Sequence, residues 1–396
     1  MTIDPRRRAS TVLPGEDDPR RAAIRAWLSE HPDPSPRNLA EAGYVAPHWP
    51  GPWGLNATAL EQAVIAEELE RARVELPDNP IAIGWAGPTI VHGGTDAQQR
   101  AHLPRILAGE EAWCQLFSEP EAGSDLADLS TRAVRDGDRY VINGQKIWSS
   151  WAERSEFGLL LARTDPDAPK HRGISYFICP MDSPGIDIRP ITDMTGGSHF
   201  NEVFLTDVVL PAENLIGEEN QGWTLAKITL MNERLSLSTG GVLWGMGPTT
   251  ADFLELVRER GGVDDPLLRQ RVADVALGDE VIRLLGERML AALARGDTPG
   301  SEASIKKLLA DEHGQTVMRL AKDLTGYAGL LDDRGPLGAD VGEWHWGYLF
   351  SRSLTIGGGT GEIQRNIIAE RVLGLPSEPD PGLGQTWAEG RRARGR

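Results

Sequence analysis

Two cysteines, Cys114 and Cys179, are all that the 396 residues contain, too few for a disulfide framework or a thiolate zinc cage. Long apolar runs are missing as well. No stretch approaches the ~18 uninterrupted apolar residues that a membrane helix needs, so no membrane span is expected. Arg6, Arg7 and Arg8 have no apolar segment behind them, which argues against a secretory signal. Positive charge is outnumbered: 41 Lys and Arg face 58 Asp and Glu, and a net charge of −17 repels nucleic acid and anionic membranes. The eight histidines include no His-x-x-x-His pair, and no Gly-x-Ser-x-Gly elbow exists, so no metal site or serine hydrolase is indicated. What is left is a soluble, acidic protein expected in the cytoplasm. It must meet any anionic ligand with local groups rather than with its overall field.

The length allows two or three domains. Residues 1–16 read as a tail. Helical periodicity covers 21–28, 58–73 and 97–107, with Leu60, Val64, Ile65, Leu69 and Val74 on one stripe. From Trp113 the pattern shortens to runs rich in Val, Ile, Phe, Tyr and Trp, at 113–117, 131–134, 140–142, 145–148, 157–162, 174–179, 186–191 and 202–210. Asp136-Gly137 and Asn143-Gly144 between such runs are hairpin signals, because both dipeptides accept the positive φ of tight turns. An antiparallel, barrel-like β domain is therefore expected. From Trp223 the helical period returns, with long segments at 223–244, 249–260, 266–294 and 301–324 and a shorter one at 344–353, as in an antiparallel bundle. The expected domains are 17–112 (helical), 113–218 (β), 219–376 (helical bundle) and a solvated basic tail, 377–396.

Four of the five residues from Gly357 to Gly361 are glycine, and a run of helix formers follows. Such a turn brings backbone N–H groups close to a ligand, and a helix N-terminus favours an anion. Without a preceding βαβ unit it is not a dinucleotide fingerprint. Two further turns carry small hydroxyls: residues 113–125, whose Pro/Gly turn can aim amides and Ser124 at a phosphate, and residues 143–150, ending in Trp148, Ser149 and Ser150. Glu233 shares a helix face with Thr229, Leu230 and Leu237. Apolar neighbours raise a carboxyl pKa, as suits a general base; a solvated or salt-bridged glutamate is the plainer reading of the residues alone. Arg234 points about 100° away around that helix and is expected to leave Glu233 alone.

Together these stretches resemble the acyl-CoA dehydrogenase family of flavoproteins. Residues 117–126 (Phe-Ser-Glu-Pro-Glu-Ala-Gly-Ser-Asp-Leu) are similar to its first motif and 144–150 (Gly-Gln-Lys-Ile-Trp-Ser-Ser) to its second. Residues 357–371, from the glycine loop to Glu370-Arg371, are similar to its third. The resemblance spans roughly residues 20–376. It implies an α+β fold with an N-terminal helical domain, a middle antiparallel β-barrel-like domain and a C-terminal four-helix bundle. It also implies FAD held between the β domain and the bundle. Phe117 and Ser118 would face the flavin ring, with Gly123 and Ser124 at its pyrophosphate. Trp148 would lie on the ring, with Ser150 near its reactive nitrogen, and Gly326, Gly359, Thr360 and Glu362 would complete the cofactor contacts.

The resemblance further implies an acyl-CoA or acyl-carrier thioester as substrate and an electron-transfer flavoprotein as acceptor. The assembly would be a homodimer or homotetramer, possibly heteromeric, in which a neighbour completes the FAD site. Three departures qualify it. The family's Arg-x-x-Phe-Gly element is absent after Arg258, leaving Arg269 as a substitute candidate, and Lys322 replaces a frequent glutamine. Many members carry the catalytic glutamate in the terminal loop, where this chain has Gly358. A minority, including isovaleryl-CoA dehydrogenase, carry it on the first bundle helix, where Glu233 stands. The expectation is α,β-dehydrogenation with Glu233 as base. The Gly358 amide would hold the thioester oxygen, and Arg234 the CoA end. Gly357 and Gly358 are expected to widen the pocket for a branched, cyclic or bulky acyl group. The alternatives are a non-catalytic partner subunit and a flavin oxidase or monooxygenase of the same fold.

Overall fold

A computed structural model describes residues 14–239, 241–261, 264–294, 300–330, 342–379, 382 and 384–395. Residues 1–13 of the expected N-terminal tail lie outside them, as does the side chain of Leu237. The first helical block comprises α1 (Pro19–Glu30), α2 (Pro36–Glu41), α3 (Ala59–Arg71), α4 (Gly87–Gly93) and α5 (Asp96–Leu107). Thr58 with Glu61 and Thr95 with Gln98 close reciprocal capping boxes on α3 and α5, which fixes where those helices begin. Ile24, Leu39, Val64, Ile65 and Leu69 form the core between α1, α2 and α3. A π-helical turn at Ala82–Ala86 runs directly into α4.

The middle block contains β1 (Trp113–Leu116), β2 (Arg132–Asp136), β3 (Arg139–Ser150), β4 (Phe157–Arg163), β5 (Ile174–Pro180), β6 (Ile186–Ile191), β7 (Phe200–Pro211) and β8 (Leu215–Ile216). Strand order is β6-β7-β3-β2-β4-β5-β8, with β1 also on β4. Pairing is antiparallel except that β1 and β2 each run parallel to β4. Asp136-Gly137 makes the expected hairpin, with Gly137 at φ +66°. Asn143-Gly144 does not: β3 continues through it, with a register shift against β7. The Asn143 side chain is bonded to Asp207 across the strands, and a Cβ at position 144 would sit 2.3 Å from Thr131 Oγ1. Glycine here serves a close backbone approach rather than a turn.

The last block holds α6 (Gly222–Thr239), α7 (Thr250–Glu259), α8 (Pro266–Ala294), α9 (Ala303–Thr325), α10 (Gly342–Phe350), α11 (Gly361–Ile367) and α12 (Trp387–Ala393). Helix α9 lies at its centre, against α6, α7, α8, α10 and α11. The 377–396 segment is not wholly a solvated tail. Thr386 caps α12 with Glu389, and the helix docks on the β domain through Trp387, whose backbone N–H donates to Ala168 O at 2.9 Å and whose indole N–H donates to Asp128 O at 3.4 Å. Buried Arg163 stacks its guanidinium on the Trp387 ring at 4.8 Å. An aromatic anchor with a carbonyl partner outweighs the solvation that basic composition suggested.

Candidate functional site

Strand β1 delivers Phe117 into the core, where its ring meets Tyr176 edge-on at 5.7 Å. The chain then turns, and Glu119 and Ala122 exchange backbone hydrogen bonds of 3.1 and 3.0 Å. Glu119 is buried and accepts from the amides of Ser130 and Thr131 and from Lys146 Nζ at 2.9 Å. Burial alone would raise its pKa. Lys146 and the Thr131 contact outweigh that and hold it at about 2. Lys146, fully buried on β3, also donates to Phe117 O at 3.0 Å, and Ile147 N–H donates to Ser118 O at 2.9 Å. This ion pair locks the first and second motifs into one unit.

At the outer end of the turn Gly123 and Ser124 are exposed, and their amides have no hydrogen-bond partner among the described residues. Nothing lies within 4 Å of where a Gly123 Cβ would stand. At the end of β3, Trp148 is 56% exposed at φ +62°, edge-on to Phe200 at 5.8 Å. Ser150 pairs with Phe200 of β7, and the buried Ser149 Oγ has no partner among the described residues.

Glu233, on α6, is 8% exposed. Burial pushes its pKa above the ordinary 4.5. A hydrogen bond from Gln115 Nε2 at 3.3 Å and the charges of Arg234 and Lys307 oppose that rise. Around an isolated helix Arg234 points away. In the fold its Nε is held along the helix by Leu230 O at 3.0 Å, and its charge acts on Glu233, correcting the expectation of no influence. One turn below, Thr229 Oγ1 lies 3.0 Å from Tyr176 OH and 2.7 Å from Thr89 Oγ1. This buried chain of hydroxyls ties α6 to β5 and α4.

In the terminal loop Gly358 and Gly359 have φ of +62° and +89°, where L side chains are strained. Lys307, buried on α9, donates to Leu354 O at 3.2 Å, Gly359 O at 3.1 Å and Asp311 at 2.6 Å. Gln364 Nε2 donates to the carbonyls of Gly358 and Gly359. With the carbonyls held inward, the amides of Gly358, Gly359 and Thr360 have no partner among the described residues. Thr360 Oγ1 caps α11 at Ile363 N, and Glu362 is exposed beside it. The space beside Gly357 is not open: a Cβ there would meet Trp244 Cη2 at 2.7 Å, so any widening falls to Gly358 alone.

The fold thus links Phe117 and Ser118 to β3, Glu233 to β1, and α9 to the glycine loop through Lys307. Gly326 is not brought in. It caps the far end of α9, nineteen residues or roughly 28 Å from Lys307. Arg269 is exposed on α8. Sequence reasoning missed Gln115, Lys307 and Gln364, and it read Glu119 and Lys146 only as motif letters. Only the Lys307–Asp311 pair had a signal, its i,i+4 spacing.

A flavin dinucleotide needs a flat wall for its ring and donors for its diphosphate. Exposed Trp148, together with the Ser149 hydroxyl and the two groups of amides at 123–124 and 358–360, which have no partner among the described residues, fits that demand.

Family models for the N-terminal, middle and C-terminal domains of acyl-CoA dehydrogenases match residues 6–110, 114–208 and 220–373. Acyl-CoA dehydrogenase FadE34 of Mycobacterium tuberculosis is 42% identical over 85% of this chain. The match takes up 45% of that relative, so the chain spans under half its length. Among solved structures, "Tcur3481-Tcur3483 steroid ACAD" superposes with a TM-score of 0.75 at 31% identity, over 90% of this chain and 97% of that one. The ChsE4-ChsE5 complex from Mycobacterium tuberculosis gives 0.74 at 30%, over 96% and 100%. The chain belongs to the acyl-CoA dehydrogenase family, an oxidoreductase family.

Proposed function

We propose that this chain catalyses the α,β-dehydrogenation of an acyl thioester, with Glu233 as the base. The carrying observation is a buried carboxylate of raised pKa on α6, hydrogen-bonded by Gln115 of β1. The family is FAD-dependent, and bound FAD would supply the acceptor for the β-hydrogen. Glu233 takes the α-proton, and the product is the trans-2-enoyl thioester. Negative charge grows on the thioester oxygen as that proton leaves, and the Gly358 amide, its carbonyl held back by Gln364, is the donor we assign to it. Trp148, Ser150 and the turn through Phe117, Ser118, Gly123 and Ser124 hold the cofactor, with Gly359, Thr360 and Glu362 at its other border. Arg234 steadies the CoA end.

The working domain limits are 17–112, 113–218 and 219–376. Gly326, remote from this chain's own site, faces a neighbouring subunit in this reading. That neighbour is a second copy or a distinct partner, as in the ChsE4-ChsE5 complex. An electron-transfer flavoprotein takes the electrons onward, in the cytoplasm. Gly358 in place of a carboxylate leaves room for a branched, cyclic or bulky acyl group, and the steroid-named structure points the same way. Anaerobic titration of the yellow protein with a thioester panel tests this. Ring-bearing or branched thioesters should bleach the flavin. Bleaching by butyryl- or octanoyl-CoA and not by these would overturn the substrate class.

A further inference from the structure

Four carboxylates crowd the ten residues around the exposed amides of Gly123 and Ser124, and each is met by a cation from elsewhere in the fold. Lys146 pairs with Glu119 at 2.9 Å and Lys170 with Asp125 at 3.0 Å. The other two cations come from the C-terminal helix and its C-cap: Arg391 reaches Glu121 at 3.2 Å, and Arg394, which caps the helix, reaches the buried Asp128 at 2.7 Å. The same helix fixes the backbone of the turn. Trp387 Nε1 and Arg391 Nη1 both donate to Asp128 O at 3.4 Å, and Ala388 N–H donates to Pro166 O at 3.0 Å. Arg163, stacked on Trp387, donates to Ala127 O at 2.6 Å. In a chain of net charge −17, a turn that presents amides to a diphosphate while carrying four carboxylates needs such cations.

We propose that α12 is a working part of the cofactor site: its arginines shield the 119–128 turn from its own carboxylates, and its tryptophan fixes the shape of that turn. The proposal rests on the reading that the Gly123 and Ser124 amides meet the FAD diphosphate. It gives the last residues of the chain a positioning role toward a cofactor whose other contacts lie far away in sequence. Removing α12 takes two cations from beside an anionic ligand. Interactions of this kind, at partly solvated distances, amount to about tenfold in affinity.

The test compares the full chain with residues 1–385, both stripped of FAD, by quenching of free FAD fluorescence on titration. The shortened chain should bind FAD about tenfold more weakly at low salt. The gap should narrow as salt rises, because repulsion between like charges is screened. An Arg391→Gln/Arg394→Gln chain, which keeps Trp387, should shift the same way, and adding Glu121→Gln to it should recover part of the loss. Equal affinity of the full chain, the shortened chain and the double variant overturns the proposal. A full chain that binds no FAD overturns the cofactor reading itself, and this proposal with it.

Discussion

Burial at Glu233 disfavours the charge that a base must carry, while Gln115 and two cations restore part of it. The sign of the pH dependence follows. Only the ionised carboxylate accepts the α-proton, so the rate should climb as pH rises through a folded pKa that lies above 4.5. Gln115→Leu removes a donor that favours the ionised form. Its acid limb should therefore move to higher pH while the rate at the alkaline plateau stays near that of the wild type. The pH profile of anaerobic flavin bleaching measures this, and an unmoved acid limb contradicts it. The burial of Glu233 on α6 was readable from the apolar neighbours at helical spacing, whereas the base role proposed for it came from the family resemblance. Gln115 was not readable, since it lies 118 residues away on a strand, and only the packing of α6 against the β domain brings the two together.

Between elements, the glycine loop keeps its shape because α9 holds its carbonyls. Lys307 and Asp311 are both buried, and burial raises the Asp311 pKa to about 6 against the pull of Lys307. Lys307→Met would strand that carboxylate and release Leu354 O and Gly359 O, at a cost of about 3 kcal/mol. Lys307→Met with Asp311→Leu should recover much of it, since two apolar groups leave no unpaired charge. Urea midpoints for the three chains read this directly, and a double variant no more stable than the single one contradicts the pairing. Strand and helix positions were largely legible from period and turn residues. Asn143-Gly144 misled because the dipeptide suits a turn equally well as a bulge under Thr131, and only the pairing with β7 distinguishes them.

Across the molecule, the order of helices, strands and helices was written in the change of hydrophobic period, and the motifs lie where that order brings its blocks together. The docking of α12 was invisible to composition. Six arginines or glycines in a row of ten read as solvated until Trp387 finds Arg163 across more than two hundred residues. The central claim, that this chain completes the dehydrogenation with a base on α6 rather than in its terminal loop, is tested most directly by single-turnover flavin bleaching. Glu233→Gln and wild-type protein, both loaded with FAD, would be mixed anaerobically with a thioester that the wild type accepts. Loss of a general base predicts a fall of about 10²- to 10⁴-fold in the bleaching rate, with FAD still bound. Bleaching of the variant at the wild-type rate would contradict the account.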